Sequence, residues 1–266
     1  MFDPLILLRN HGWKVKALKF IDYLFQLIRY NFMLIVHPGK VNNLNYFERK
    51  VFSQNGEDGL LQYIFIKIKT TNKYFIEIGA GDGGENNSHY LLKLGWRGLQ
   101  IDGKKSIGIK NHFVTAQNVE KFFKENNVPN NFDLLSIDID GMDYWVWKAI
   151  TNYHPRVVVI EYNASVSPIN STVVPYNPHF VWDDTDYFGA SLGALNKLAL
   201  SKGYQLVATN SNGINAIFVN NVDVKKILLS PMSVSEIYHP PKFRLQTDGT
   251  LGGHPQSHRL TQMISV

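Results

Sequence analysis

From residue 50 onward, short apolar runs alternate with stretches whose apolar positions recur at helical spacing. Leu60, Leu61, Ile64, Phe65 and Ile68 share one face of a helix predicted over Asp58–Lys69. Tyr74–Ile78 reads as a short buried strand that ends in a cluster of glycines. The alternation continues with helix Asn87–Leu94, strand Gly98–Asp102, strand His112–Gln117 and helix Val119–Asn126. Strand Asp133–Asp140, helix Tyr144–Thr151, the fully buried strand Arg156–Tyr162 and helix Ala190–Lys202 follow. Two last strands, Tyr204–Ala208 and Asn215–Val219, are separated by the turn-rich Thr209–Ile214, which predicts antiparallel pairing. Five strands with helical crossovers and a terminal hairpin specify an open, mostly parallel α/β sheet.

The first fifty residues follow another pattern. Trp13, Ala17, Leu18, Phe20, Ile21, Leu24, Phe25, Leu27 and Ile28 share half of a helical wheel, with Lys16, Lys19, Asp22, Gln26 and Arg29 opposite. His37-Pro38-Gly39 ends this amphipathic helix. The longest uncharged run here, Tyr30–Gly39, is far short of the ~18 residues of a membrane span, and no signal-peptide pattern follows the start. Charge divides the chain at the same place. Residues 1–50 hold eight Lys and Arg against three acids, whereas residues 51–266 hold 19 of each. The basic balance therefore belongs to the arm, which argues against a nucleic-acid partner read by the body. The apolar face of the arm needs cover. Residues 1–40 would find it on the body, on a second copy in a homodimer, or on an anionic membrane. Val15 and Tyr23 interrupt the polar half, which favours protein packing. The absence of cysteine removes disulfides, thiolate metal sites and Cys nucleophiles. It fits a cytoplasmic protein, peripheral at the membrane if the arm lies on lipid.

Ligands of such sheets bind beyond the carboxyl ends of the strands. There the sequence places Glu77-Ile-Gly-Ala-Gly-Asp-Gly-Gly84, Asp102, Asp138-Ile-Asp140 and Glu161-Tyr-Asn163. Gly79, Gly81 and Gly83 let backbone approach a ligand closely. Gly79-x-Gly81-x-x-Gly84 also satisfies the dinucleotide fingerprint, so the glycines do not decide. Glu77, Asp82 and Glu85 oppose a pyrophosphate, and Asp102, about 20 residues on, suits the two hydroxyls of a ribose. A ligand with a ribose, an ammonium end and no phosphate is S-adenosylmethionine. The plainer alternative is a tight strand–helix turn with solvated acids.

Phe75-Ile-Glu-Ile-Gly-Ala-Gly-Asp-Gly83 resembles motif I of Rossmann-type S-adenosylmethionine-dependent methyltransferases. Ser53-Gln-Asn-Gly-Glu-Asp-Gly59, Asp133-Leu-Leu-Ser-Ile-Asp-Ile-Asp-Gly141, Ser191-Leu-Gly-Ala-Leu195 and Lys202-Gly-Tyr-Gln-Leu-Val207 are similar to segments of the FkbM-like branch. Many members carry Asp-x-Glu-Gly at strand four, where this chain has Asp138-Ile-Asp140-Gly141. The resemblance implies one Rossmann-like seven-stranded sheet over 51–220, with a substrate-side insertion at 163–189 and a C-terminal extension at 221–266. It implies methyl transfer to a hydroxyl of a sugar, glycan or related metabolite. By position, Glu77 would contact the amino-acid end of the cofactor, and Gly79, Gly81 and Gly83 would give backbone contacts. Asp102 would bind the ribose, Gln117 and Asn118 would lie near the adenine, and Asp138 would face the methionine end or a metal. Gln54 would reach the cofactor carboxylate, or belong to a helix-start network with Ser53, Asn55, Glu57 and Asp58. An interaction module that keeps the fold without catalysis, docked through its arm, is the alternative.

Asp138, Asp140, Asp143, Glu161 and Asn163 are hard oxygen donors at adjacent strand ends, the ligand type of Mg²⁺. Asp138, Asp140 and Glu161 are the candidate ligands; hydrogen bonding to backbone is the competing role. The 163–189 connection is far longer than the usual ~2–6 residues and mixes aromatics with acids, which suits a sugar acceptor. Within it His179 is the candidate general base, alongside Asp138 as a catalytic acid group.

Overall fold

A computed structural model describes residues 43–246 and 248–266, together with the single positions 28 and 32. The predicted arm helix otherwise lies outside the described residues. The central sheet has seven strands: β1 (Tyr74–Ile78), β2 (Arg97–Asp102), β3 (Lys110–Asn111), β4 (Asn131–Ile137), β5 (His154–Glu161), β7 (Tyr204–Thr209) and β8 (Asn215–Asn220). Their order is β3-β2-β1-β4-β5-β8-β7. The pairings from β3 to β5 are parallel, and β8 runs antiparallel to both β5 and β7. The expected mostly parallel sheet with its terminal hairpin is therefore present. The strand order turns back between β1 and β4, which opens a crevice at the carboxyl ends of these two strands.

Both faces of the sheet are buried, which explains the unbroken Val157-Val-Val-Ile160 run. Ile76, Ile78, Leu135, Ile137, Val158 and Ile160 pack on one side, with helices α3 (Val119–Glu125), α4 (Asp143–Ala149) and α5 (Leu192–Ser201). Phe75, Leu134, Val157 and Val159 pack on the other, with α1 (Glu57–Ile68) and α2 (His89–Lys93). A 3₁₀ turn at Leu44–Phe47 buries Leu44 and Phe47 in this second layer.

Two predicted elements differ. The third strand is Lys110–Asn111, not His112–Gln117. Asn118 closes that later segment into a turn: its Oδ1 accepts from Thr115 N at 2.8 Å and its Nδ2 donates to Phe113 O at 2.8 Å. Strand β4 stops at Ile137 because Asp140 (φ 56°) and Gly141 (φ 148°) bend the chain out of the sheet. Asp138 and Asp140 are thus freed from strict strand alternation.

The insertion and the C-terminal extension fold onto each other. Strand β6 (Thr172–Val173) pairs with β11 (Ile264–Ser265), and Ser257 N donates to Asp186 at 2.7 Å. Arg259 pairs with Asp183 and covers the Tyr187 ring. The remaining elements are α6 (Val234–Ile237) and a small hairpin of β9 (Arg244–Leu245) and β10 (Leu251–Gly252). Among the described residues no helix is long and apolar enough to cross a membrane.

Candidate active site

The glycine loop is fixed by its neighbours. Gly79 N and Ala80 N both donate to Ile101 O, at 2.9 and 3.0 Å. Gly79 has φ 87°, and a Cβ there would lie 1.5 Å from Asp138 O. Only glycine lets β1 and the end of β4 close this tightly. Gly81 N donates to Asp102 Oδ2 at 2.8 Å, and Lys104 N to Asp102 Oδ1 at 2.7 Å. Each Asp102 oxygen keeps further acceptor capacity for a hydroxyl.

Two cavities meet at this loop. The first, of about 570 Å³, is bounded by Gly79, Gly81, Asp102 and Lys104, by His112–Thr115, and by Asp138–Asp140. Met142, Tyr176, Pro178 and Phe180 complete it. The second, of about 380 Å³, shares Gln54, Gly79, Gly81 and Asp138 with the first. Glu57, Glu77, Asp82 and Glu85 line it with four asparagines and no Lys or Arg.

The Ser53–Gly59 segment shows how the sequence builds this wall. Asp58 Oδ2 accepts from the backbone N of Val51, Phe52 and Ser53 and from Ser53 Oγ, at 2.6–2.9 Å. Glu57 accepts from Asn55 N and Asn215 Nδ2. The helix-start network exists, and it leaves exposed Gln54 lining both cavities.

Glu77 is buried, and both its oxygens are engaged. Asn87 N donates to it at 2.7 Å and Ser88 N at 3.1 Å, with Ser88 Oγ as a third donor. Burial raises its pKa to about 7 against these donors. Glu77 therefore ties down the loop before α2 from the wall of the second cavity. These bonds also delay the start of α2 to His89.

Asp138, Asp140 and Glu161 come together, with ligand-type oxygens all within 4.8 Å of one another. Glu161 Oε2 is sealed from solvent and has no hydrogen-bond partner among the described residues. Burial, and then the neighbouring acids, push Asp138 and Glu161 well above the usual carboxylate range. Burial raises Asp140 as well, opposed by Lys104. Asp143 accepts from Ile139 N and Gly141 N, at 2.9 and 3.0 Å, so it braces the Asp138–Gly141 turn. Asn163 is fully committed elsewhere. Its Nδ2 donates to Asp186 O and Phe188 O, which anchors the insertion.

Three expected residues do not reach the site. His179 is exposed and absent from the cavity walls, while its neighbours Pro178 and Phe180 turn inward. Gln117 bonds the Tyr176 hydroxyl outside the cavity, and Asn118 caps its own turn. Because β3 ends at Asn111, the chain crosses the strand ends at His112–Thr115 instead. Phe113, Met142, Tyr176 and Phe180 were not singled out by sequence. Gly141 carried a signal for one of them: a Cβ there would lie 2.3 Å from the Phe180 ring.

No family model and no curated protein matches the sequence. Among solved structures, the chain is similar to an S-adenosylmethionine-dependent methyltransferase from Clostridium acetobutylicum, at 11% identity and a TM-score of 0.34. That match covers 60% of this chain and 90% of the other. It is also similar to the glycopeptide N-methyltransferase MtfA complexed with S-adenosyl-L-methionine, at 13% identity and a TM-score of 0.29, over 71% of this chain and 96% of the other.

Proposed function

We propose that this protein is an S-adenosylmethionine-dependent methyltransferase acting on a hydroxyl of a sugar, glycan or related metabolite. The observation that carries this reading is the pairing of cavities across one glycine loop. One holds a ribose-type carboxylate, Asp102, and the other is lined by carboxylates with no Lys or Arg beside them among the described residues. A pyrophosphate in the second cavity would meet the buried Glu57 and the exposed Asp82 and Glu85, all of its own sign. A net-cationic ligand is attracted by the same groups. Asp102 accepts the ribose hydroxyls, the exposed Phe113 flanks the base, and Gln54 offers its amide to the carboxylate of the amino-acid end.

When bound, S-adenosylmethionine would supply a sulfonium methyl group for transfer to an acceptor oxygen. The chain's own contribution is alignment, which can be worth ~7–11 kcal/mol. Asp138 borders both cavities and so stands between donor and acceptor. Its carboxylate orients the acceptor hydroxyl and receives its proton. Tyr176, Phe180 and Met142 form an aromatic and apolar wall for the face of a sugar.

The acid cluster also fits a divalent cation: three hard oxygen donors converge, one with an unpartnered buried oxygen. Asp138, Asp140 and Glu161 would hold Mg²⁺, which lowers the pKa of a bound hydroxyl. Residues 51–220 then form the catalytic body, with 163–189 and 221–266 as the acceptor side.

Calorimetry with S-adenosylhomocysteine and with NADH tests the reading. Binding of the first and not the second is expected. The reverse result would leave a dinucleotide enzyme, and binding of neither would leave the non-catalytic interaction module. Mn²⁺ binding followed by electron paramagnetic resonance tests the cation. It should disappear in Glu161→Gln, and an unchanged spectrum in that variant would reassign the acids to hydrogen bonding.

A further inference from the structure

The mouth of the first cavity continues into a surface that extends beyond the nucleoside and acceptor sites. From Gly103 to Asn118 the chain carries Lys104, Lys105 and Lys110 and no acid. In the middle of this stretch, Ser106–Ile109 forms a tight turn in which Ile109 N donates to Ser106 O and Gly108 takes φ 80°. The turn is held at both ends. Lys104 N is bonded to Asp102, Asn111 Nδ2 donates to Gly103 O at 2.9 Å, and the Ile109 side chain lies against Gly83. At its tip Ile107 is fully exposed, and Phe113 beside the cavity is 60% exposed.

An ordered turn that presents a large apolar side chain to water, with exposed lysines on both sides of it in the chain, is shaped for a surface that its tip can enter. Lys104 and Phe113 line the cavity, so that surface would lie at its mouth. The acids closest along the neighbouring loop, Asp82 and Glu85, line the second cavity. The acid facing Lys104 is Asp140. One protruding tip is far smaller than the ~800 Å² per partner of a stable protein interface. A bilayer requires no such complementary area: an apolar tip enters the acyl boundary while lysines reach the headgroups.

We propose that the Ser106–Ile109 turn docks the protein on an anionic lipid surface, with Ile107 inserted and Lys104, Lys105 and Lys110 among the headgroups. The docking surface is distinct from residues 1–50 and stands whether or not the chain transfers methyl groups. It would bring the cavity mouth to an acceptor carried on lipid.

Co-sedimentation of the full chain with vesicles of equal parts phosphatidylcholine and phosphatidylserine tests it. The wild-type protein should bind at low salt, release at high salt, and ignore pure phosphatidylcholine. Ile107→Asp and the double variant Lys105→Glu/Lys110→Glu should each bind at least about tenfold more weakly, while Ile107→Leu should bind normally. The Ile107 side chain is solvent-exposed, so thermal unfolding of its variants should match the wild type. Vesicle binding that survives Ile107→Asp would place the contact elsewhere and overturn the proposal. So would a wild-type protein that fails to bind at all.

Discussion

The two ends of strands β4 and β5 hold their acids in opposite ways. At the amino ends, Arg156 donates from Nη1 to Asp133 at 2.8 Å and from Nε to Asp223 at 2.7 Å. Its remaining donors reach Lys69 O and Ile68 O, and Asp133 also collects backbone N–H groups from Thr71, Asn72 and Lys73. Every charge there has a partner. At the carboxyl ends, Asp138, Asp140 and Glu161 converge without an Arg or Lys in ion-pair contact among the described residues. The same sheet therefore has a compensated end that fixes the fold and an end whose acids have no ion-pair partner among the described residues. Like charges packed together weaken a fold unless a ligand repays them, so the imbalance marks where function resides.

The largest effect should come from breaking the compensated end. Arg156→Met would leave Asp133 buried without a cation and Asp223 with Lys226 alone, and loss of one partner of a buried pair costs about 3–5 kcal/mol. Urea unfolding should show that loss. A change under about 1 kcal/mol would mean the backbone donors to Asp133 suffice, and the contrast between the ends would weaken.

At the other end, Asp102→Ala should leave the fold intact and weaken S-adenosylhomocysteine binding by about 1.5–3 kcal/mol, the range for a charge-assisted hydrogen bond. Calorimetry reads this directly. Unaltered affinity would show that Asp102 serves only to shape the loop through Gly81 and Lys104.

Removing one acid from the cluster should reverse the sign seen at Arg156. In metal-free protein, Glu161→Gln eliminates a buried like charge and should raise stability by about 1 kcal/mol, measured by urea unfolding in chelator. Destabilisation would mean that the Glu161 carboxyl is already satisfied.

The compensated end was hard to see in the sequence, and the uncompensated end was legible in outline. Asp138, Asp140 and Glu161 follow apolar runs, so their position at strand ends could be read from pattern. Asp133 and Arg156 flank the same runs, but their pairing depends on the parallel register of β4 and β5. The sheet itself was legible because both of its faces are buried and its strands are therefore continuous in hydrophobicity. The misplaced third strand and the missed Tyr176 and Phe180 share a cause. Two-residue strands and irregular insertions carry no periodicity, and tertiary contacts such as Gly141 with Phe180 fix them. His179 was favoured for its chemistry within the insertion, yet local backbone direction decided which neighbour faces the cavity.

The smallest and finest test is pH, because the two ends should respond with opposite sign. At the amino ends, burial pushes Asp223 upward, but hydrogen bonds from Arg156 and Lys226 outweigh it and hold its pKa at about 2, below the ordinary 3.8. A depressed acid contributes stability above its unfolded value, and that contribution is lost as pH falls from about 4 towards 2. At the carboxyl ends, Glu77 is raised from 4.5 to about 7, chiefly by burial. A raised acid is most favourable when protonated, so its contribution declines as pH rises from about 4.5 to 7. Wild-type stability should therefore climb between about pH 2 and 4 and decline between about 4.5 and 7. Asp223→Asn should flatten the acid limb alone, and Glu77→Gln should reduce the slope of the upper limb alone. A Glu77→Gln protein with the wild-type slope from pH 4.5 to 7 would show that its hydrogen bonds from Asn87 and Ser88 keep Glu77 ionised throughout, and that the upper limb belongs to Asp138, Asp143 and Glu161.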